Sequence, residues 1–220
     1  MSRIELHGEL HRLAGYELPQ QLAELKDPPE ELWVLGNPGA FDTPTIAMVG
    51  ARRCTPYGEA CASKFAALAV GKGYTVVSGG ARGIDAAAHW AAVDNGGRTV
   101  AVLAGGIDWC YPNDNAALFQ RIVDGGGAIA SEQQMGVEPR PYMFLKRNRI
   151  IAGLSQAMLV AECKVPSGTF TACDSMLSLN RPLLAIPGSV FSEHSSGCNH
   201  LIAERLARAV HDEDSFGRWL

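Results

Sequence analysis

The sequence predicts an α/β fold: a doubly wound, mostly parallel, Rossmann-like sheet with helices on both faces and a short N-terminal extension. Two observations lead to this prediction. Short runs of β-branched and apolar residues alternate along the chain with alanine-rich amphipathic stretches, which is the order expected of repeated strand–helix units. The short runs are apolar at nearly every position, so both faces of each strand should be buried, as they are in parallel sheets.

Six of the short runs have the length and composition of buried strands, because each is rich in aliphatic residues and bounded by glycine, proline or polar residues. The predicted strands cover residues 45–49, 74–77, 99–103, 128–130, 157–160 and 183–186. The segments between and after them have helical periodicity. The predicted helices cover residues 57–70, 83–93, 115–123, 146–154, 168–179 and 201–210.

The first forty residues differ in texture from the rest of the chain. They show a short helical pattern, then several prolines, then one strand-like run at 32–35. This segment is too short to bury a core of its own. We therefore expect residues 1–40 to form an extension packed on the main domain at 41–220.

Composition limits the class of protein. The 220 residues are 47% hydrophobic and 19% charged, with a formal net charge of -4. No run approaches the roughly 20 apolar residues of a membrane span, and the N-terminus is charged where a signal peptide is apolar. We therefore predict a cytoplasmic globular protein.

The cysteines include no CxxC pair, which favours reduced thiols over a disulfide framework and predicts no metal site. The six cysteines are Cys54, Cys61, Cys110, Cys163, Cys173 and Cys198.

Loops rich in glycine, serine and proline follow each predicted strand. In doubly wound sheets ligands bind at the carboxyl ends of the strands, so these loops should together form a binding site. The site does not match a dinucleotide fold, because the first turn reads GARR instead of GxGxxG and the second strand ends in Ser-Gly-Gly without an acidic residue. We predict no NAD, no FAD and no other cofactor.

Two segments suggest that the ligand carries phosphate. FLKRNRIIAGLS, at 144–155, places three cations beside an aromatic residue in a chain of negative net charge, and SGGARGIDAAAH, at 78–89, begins with small residues at a strand end. Arg52 follows the first strand, where a guanidinium suits bidentate contact with phosphate oxygens. The alternatives are a solvated basic face and, for Arg52, a surface ion pair.

At this point the residues match a family. The chain resembles the bacterial DNA-processing protein A family (DprA, also called Smf) over roughly residues 28–215. The resemblance rests on eight motifs that occur in the family's order: VGARRCTPYG, VVSGGARGIDAAAHWAA, GGRTVAVLAGGIDWCYP, AIASE, FLKRNRIIAGLS, PSGTFTA, AIPGS and SGCNHLI.

The resemblance implies a protein that binds single-stranded DNA without chemical catalysis. Family members protect incoming strands during natural transformation and load the RecA recombinase onto them for DNA recombination, and they form homodimers through the Rossmann-like domain. Some members add a winged-helix domain, which we do not find in these 220 residues. A naturally short member and a fragment of a longer protein both fit.

The family's DNA pocket maps onto twelve positions in two segments and one turn of this sequence. The implied DNA-binding residues are Arg52, Ser78, Gly79, Gly80, Ala81, Arg82, Gly83, Phe144, Lys146, Arg147, Asn148 and Arg149. The residues expected to support these loops are Asp85, His89, Ser167, Gly168 and Thr169.

The chemistry of these positions is consistent with the resemblance. The amides of Gly79, Gly80 and Ala81 precede a helix, where they could form an anion-binding nest. Phe144 offers a ring on which a base could stack, with a buried core position as the alternative. Asp85 and His89 are spaced like a general acid–base pair, but we expect Asp85 to accept loop amides and His89 to pair with it.

The sequence departs from the family at two places. Leu145 replaces a proline after the aromatic residue, and AERLARAV, which follows SGCNHLI, lacks the expected glycine–alanine pair. The second departure lies near the family's self-association surface. Even so, the apolar spacing of Leu201, Ile202, Leu206 and Val210 predicts a last helix that packs on the sheet or on a second copy.

An enzyme is the alternative. Related Rossmann-like proteins hydrolyse nucleoside monophosphates with a PGGxGTxxE loop whose glutamate is catalytic. The corresponding segment here, PSGTFTA, has no glutamate in the next turn, and Asp174 is the nearest acid. Without a placed carboxylate the reaction lacks its general base, so the sequence favours a DNA-binding protein over this nucleotide-binding phosphoribohydrolase.

Overall fold

A computed structural model describes residues 2–220, without the side chains of Ser2 and Cys110. The described chain forms a nine-stranded, mostly parallel sheet and a separate two-stranded ribbon. This confirms the predicted α/β class. The strands are β1 (Ser2–Arg3), β2 (Leu10–Ala14), β3 (Glu31–Gly36), β4 (Thr45–Gly50), β5 (Thr75–Ser78), β6 (Thr99–Leu103), β7 (Trp109–Cys110), β8 (Ala128–Ser131), β9 (Ala157–Glu162), β10 (Leu183–Ala185) and β11 (Arg208–Ala209).

Seven α-helices connect the strands within residues 2–220. They are α1 (Pro56–Gly71), α2 (Ile84–Asp94), α3 (Ala116–Asp124), α4 (Pro141–Leu154), α5 (Thr169–Ser178), α6 (Ser196–Ala203) and α7 (Glu213–Gly217).

The large sheet has the strand order β11-β10-β9-β4-β5-β6-β8-β3-β2. The strands from β11 to β8 run parallel, whereas β3 is antiparallel to β8 and β2 is antiparallel to β3. The chain reverses its direction of travel across the sheet at β4, because β5 lies on one side of that strand and β9 on the other. Such a switch point is where doubly wound folds bind ligands.

Helices cover both faces of the sheet. One face packs on α4, α5 and α6, and the other packs on α1, α2, α3 and α7. Successive residues of β4 alternate between these layers, since Ala47 and Val49 belong to the first core and Ile46 and Met48 to the second. This burial on both faces explains why the strand sequences are apolar throughout.

The N-terminal segment continues the sheet. β3 pairs with β8 through Trp33–Ser131 to Gly36–Ala128, which places two further strands on the sheet edge. Leu22 and Leu25 are buried in the same core as α4. The first forty residues therefore share the core of the following chain.

Three secondary-structure predictions were wrong. Residues 10–14 form a strand instead of part of a helical pattern, because pairing with β3 outweighs local periodicity. Helix α4 begins at Pro141, five residues before the predicted start, with proline in the first turn where its missing N–H costs nothing. The last predicted helix, 201–210, stops at Ala203, since Arg205 has a φ of 59° that no α-helix accommodates.

No helix within residues 2–220 is long and apolar enough to cross a membrane. Five cysteines with described side chains are free thiols, and the Cys110 side chain lies outside the described part of the chain.

Candidate functional site

A cavity of about 550 Å³ opens at the carboxyl edge of the sheet, beside the switch point at β4. Its walls are helix α4, the turn after β4, the loop after β5 and the start of α5. The structure thus joins segments that are far apart in the sequence. The predicted site residues that line it are Arg52, Ala81, Asp85, Phe144, Arg147, Asn148, Ser167, Gly168 and Thr169.

Arg147 lies at the base of this cavity with only 6% of its surface exposed. Its Nε and Nη1 are buried and have no hydrogen-bond partner among the described residues. Burial lowers the pKa of the guanidinium to about 10, with the Asp85 carboxylate acting in the opposite direction. A buried cation with unused donors is costly to a protein unless an anion reaches it.

Gly79 makes this position of Arg147 possible. The guanidinium lies directly against the loop after β5, and a Cβ at Gly79 would overlap Arg147 Nη1 and approach its Cζ. Any side chain at this position would therefore push the guanidinium away. The sequence predicted Gly79 as a phosphate-binding amide, whereas the structure gives it a steric role.

Arg52 and two aromatic rings form the upper wall. The Arg52 Cζ lies 5.1 Å from the centroid of the Phe144 ring and 5.9 Å from that of Tyr111. The two rings meet edge to face with centroids 5.3 Å apart. Arg52 is exposed and forms no ion pair within the described chain. Phe144 is only partly buried, so its ring serves as a wall of the cavity as well as a packing surface.

The loop after β5 uses its amides internally. The amides of Gly79 and Ala81 donate to Asp85 Oδ2 at 3.1 and 3.3 Å, so they are not free for a phosphate as predicted. Asp85 does accept loop amides, as expected. Burial raises the pKa of this carboxyl, opposed first by the Arg147 charge and then by the amide donors. The loop is therefore a rigid frame for Arg147.

Other residues of the same loop also serve the frame. Ser78 is fully buried and donates to the Met48 carbonyl at 2.5 Å. Gly80 and Gly83 have φ values of 66° and 74°, which other residues adopt only with strain. The Asn115 side chain donates to the Gly80 carbonyl at 2.9 Å.

His89 does not pair with Asp85, contrary to the prediction. Its Nδ1 lies 2.6 Å from Thr99 Oγ1, and that hydroxyl donates its own hydrogen to the Val76 carbonyl. Thr99 must therefore accept a hydrogen from Nδ1, which leaves Nε2 unprotonated, buried and without a described partner. Burial, with a smaller effect of the Arg147 charge, lowers the pKa of His89 to about 3.

Three predicted cations lie outside the cavity wall. Arg149 donates to both carboxylate oxygens of Glu132, at 2.6 and 3.0 Å, and also contacts Asp27. Lys146 contacts the same Glu132 at 3.1 Å, and Arg82 pairs with Asp114. These carboxylates, which are distant in the sequence, pair with three of the cations predicted to bind DNA.

The start of α5 forms the remaining wall. Ser167 Oγ accepts from the Thr169 amide at 3.2 Å, and Asn148 Nδ2 donates to the Gly168 carbonyl at 3.4 Å. The first turn of α5 has no acidic residue, so its partial positive charge faces the cavity without compensation. The wall therefore favours an anion.

Three residues of the site were not predicted from the sequence. Tyr111 lies in the WCYP loop of the same sheet edge, where an aromatic residue could have been noticed. Asn115 holds the loop after β5, but an asparagine before a helix is a common capping signal that carries no further information. Glu162, 2% exposed at the end of β9, accepts from the Thr55 amide and hydroxyl at 2.7 Å each and so fixes the turn that carries Arg52.

The arrangement suits binding better than hydrolysis. Among the described residues that line the cavity, Asp85 is the single carboxylate, and two amides hold it. Asp174 is exposed and lies outside the cavity lining. No group of three or more His, Cys, Asp or Glu residues in the described chain is arranged to hold a metal ion.

Comparison with known proteins bears on this site. The model of the DNA recombination-mediator protein A family matches residues 11–218. DNA processing protein DprA of Streptococcus pneumoniae is 40% identical over 196 residues, covering 89% of this chain and 69% of that protein. Protein Smf of Escherichia coli is 37% identical over 196 residues, covering 89% of this chain and 52% of that protein.

Solved structures agree with the sequence comparison. The pneumococcal DNA processing protein A superposes with a TM-score of 0.88 and 36% identity, covering 96% of this chain and 74% of that one. DNA processing protein A from Helicobacter pylori, studied for its mode of single-stranded DNA binding, superposes with a TM-score of 0.88 and 28% identity over 96% of both chains.

Proposed function

Because the chain belongs to the DNA recombination-mediator protein A family, which includes DprA and Smf, we propose that it binds single-stranded DNA in the cavity beside β4. The observation that carries the proposal is Arg147, a buried guanidinium with two donors that no described residue satisfies, at the base of an open cavity. The Helicobacter relative studied for single-stranded DNA binding supports the choice of ligand.

A backbone phosphate is the group that fits Arg147. Arg147, the exposed Arg52 guanidinium and the N-terminus of α5 all line the same cavity. Charge-assisted hydrogen bonds from guanidinium groups to phosphate are short and strong. A phosphate there would also relieve the cost of burying Arg147.

A base next to that phosphate would contact the aromatic wall. Phe144 and Tyr111 offer ring surfaces, and Arg52 lies within cation–π distance of both. Stacking of this kind tolerates every base because each has a π-face. In a duplex the bases are paired and stacked on one another, so only a single strand can use this wall. We therefore propose binding with little sequence preference.

We propose that the protein acts by binding and not by catalysis. The one carboxylate in the cavity lining is held by two amides, which supports this view over the phosphoribohydrolase alternative. By the family resemblance we further propose that the protein protects incoming strands in natural transformation, delivers them to a RecA-type recombinase and acts as a homodimer. We place this activity in the cytoplasm.

The first prediction tests the ligand and the pocket together. Arg52→Ala should weaken binding of a labelled single-stranded oligonucleotide by roughly tenfold or more, the loss of one charged hydrogen bond at about 1.5–3 kcal/mol. Fluorescence anisotropy at two salt concentrations measures the effect, and affinity should fall with salt at a slope of about 0.7 per neutralised phosphate.

Arg218→Ala is the control, because Arg218 is also exposed but directly follows α7, whose core is on the other side of the sheet from α4. Its affinity should equal that of the unmodified protein. Equal or tighter binding of blunt duplex DNA, or equal losses for the two arginine variants, would contradict the proposal.

A further inference from the structure

We propose a second base-stacking position at Phe191, two strands from the cavity, so that the DNA strand leaves the cavity along the ends of β4, β9 and β10. This inference rests on the proposed function, because it extends the path of the same ligand. Phe191 is 97% exposed and its neighbour Val190 is 83% exposed. Both lie in the loop after β10.

Hydrogen bonds hold the backbone of the loop that carries Phe191. Gly188 exchanges two hydrogen bonds with the Asn199 side chain, each 3.1 Å long. The Ser192 amide donates to the Ser189 carbonyl at 3.0 Å, and the Phe191 amide donates to Ser189 Oγ at 3.2 Å. A ring presented by an ordered turn loses little further entropy when a base stacks on it.

The loop contacts two segments next to the cavity walls, the start of α1 and the loop before α5. Tyr57, at the start of α1, donates through its hydroxyl to the Pro187 carbonyl at 2.7 Å, and the Val165 amide donates to Ser196 Oγ at 3.2 Å. The turn that leads into α1 holds Arg52, so Phe191 lies on the same edge of the sheet as the cavity. Adjacent strands are about 4.8 Å apart, which places the loop after β10 about 10 Å from the turn after β4. A few nucleotides span that distance.

Charge indicates which way the strand leaves the cavity. Toward β8, Arg149 is held by Glu132 with both side chains largely buried, whereas Arg82 is paired only with the exposed Asp114. Toward β10, Arg53 is exposed and has no ion pair in the described chain. Lys164 contacts Glu193 at 3.4 Å, but both side chains are more than half exposed, and such pairs are weak. Backbone phosphates are therefore attracted to the β10 side.

The same features favour DNA over a protein partner. Protein interfaces need a broad apolar area, whereas Phe191 and Val190 stand on a loop whose neighbours include Lys164, Glu193 and His194. An isolated exposed ring on a polar loop matches the base stacking that binds single strands.

Oligonucleotide length separates this position from the cavity. Phe191→Ala should weaken binding of an oligo-dT of about sixteen nucleotides by roughly 5- to 100-fold, the usual effect of losing one stacked base. It should leave binding of an oligo-dT of about four nucleotides unchanged, because that length fills only the cavity. Phe191→Trp should keep the affinity for the long strand and gain a tryptophan fluorescence change that the short strand does not cause.

Tyr16→Ala is the matched control, since Tyr16 is also 97% exposed but follows β2 at the opposite end of the sheet. Unchanged affinity of Phe191→Ala for both lengths, or equal losses for both, would overturn the inference. So would a variant that binds DNA normally but loses association with another protein. In each of these cases, Arg52→Ala still lowers the affinity for both oligonucleotide lengths if the proposed function is correct. If the unmodified protein binds no single-stranded oligonucleotide, the proposed function itself is refuted.

Discussion

Gly79 and Arg147 show how a single small residue can determine a binding site. The guanidinium lies where a Cβ at Gly79 would be, and the loop keeps its shape because Asp85 accepts the amides of Gly79 and Ala81. Asp85 also provides the negative charge nearest to the buried cation. The glycine, the carboxylate and the guanidinium therefore form one unit, in which each explains the position of the others.

The second prediction tests this unit. Gly79→Ala should displace Arg147 from the loop and weaken single-strand binding by roughly tenfold or more, as expected for lost charged hydrogen bonds. Gly79 does not have a positive φ, so alanine adds steric overlap without backbone strain. Gly71→Ala is the control because a Cβ there meets nothing within 4 Å. Unchanged affinity of the Gly79 variant, with thermal melting confirming the fold, contradicts the assigned role.

The third prediction concerns His89 and acid stability. Its pKa is about 3 in the folded protein against 6.5 for an ordinary histidine. Between these values the unfolded chain binds one more proton than the folded chain, so the free energy of unfolding falls as the pH falls, by about 1.4 kcal/mol per pH unit. The raised pKa of Asp85 acts in the opposite sense, since the folded state takes up that proton first.

Urea unfolding at about pH 7 and about pH 5.5 measures this effect. The unmodified protein should lose about 1 kcal/mol more than His89→Gln between these conditions. Asp85 is present in both proteins, so its contribution cancels in the difference. Parallel losses in the two proteins would show that His89 does not titrate as its burial requires.

Helix α4 is the element on which the site depends most, because it carries both Phe144 and Arg147. Its C-terminal carbonyls are capped from a distance by Arg181, whose Nη1 donates to the carbonyls of Ala152, Gly153 and Ser155 at 3.1, 2.8 and 2.7 Å. The positive charge also interacts favourably with the helix C-terminus. Arg181 therefore anchors α4 from the turn before β10.

The fourth prediction follows from this cap. Arg181→Met removes the donors but keeps much of the apolar stem, and should lower the free energy of unfolding by about 2 kcal/mol, since a charged hydrogen bond contributes about 1.5–3 kcal/mol. Arg121→Met is the control, because Arg121 is exposed and 3.8 Å from Asp94, and such surface pairs contribute little. Equal urea midpoints for the two variants would rule out the capping role.

The success of the sequence predictions also varies by element. The six buried strands were predicted because burial on both faces leaves a purely apolar run, which is a local signal. Strand β2 was missed because its residues are only partly buried and its strand character depends on pairing with β3. The cavity residues on α4 were predicted from the family motif, but the capture of Arg149 by Glu132 could not be, since that ion pair joins two elements whose separation is a property of the fold.

At the scale of the whole molecule, net charge and local charge have opposite signs. The chain carries -4, yet Arg52, Arg53 and the buried Arg147 cluster at the carboxyl ends of β4 and β5. The overall charge should limit nonspecific attraction of DNA, while the local cations select phosphate at one edge. Two such edges in one assembly would bind a long strand more tightly than either alone.

The fifth prediction addresses that assembly. Helix α6 and the segment after it keep Leu201 and Val210 buried within the chain, each 1% exposed, but leave Leu206 43% exposed. Leu206 is therefore the apolar residue of this segment that remains to contact a second copy in the proposed homodimer.

Light scattering of the unmodified protein at micromolar concentration should give twice the chain mass of 23.5 kDa. The Leu206→Lys variant should give one chain mass, and it should lose more affinity for long DNA strands than for short ones. Leu10→Lys is the control, because Leu10 is 41% exposed at the far edge of the sheet and its variant should stay dimeric. A single chain mass for the unmodified protein, unchanged when a long oligonucleotide is added, would exclude the homodimer and leave each cavity to act alone.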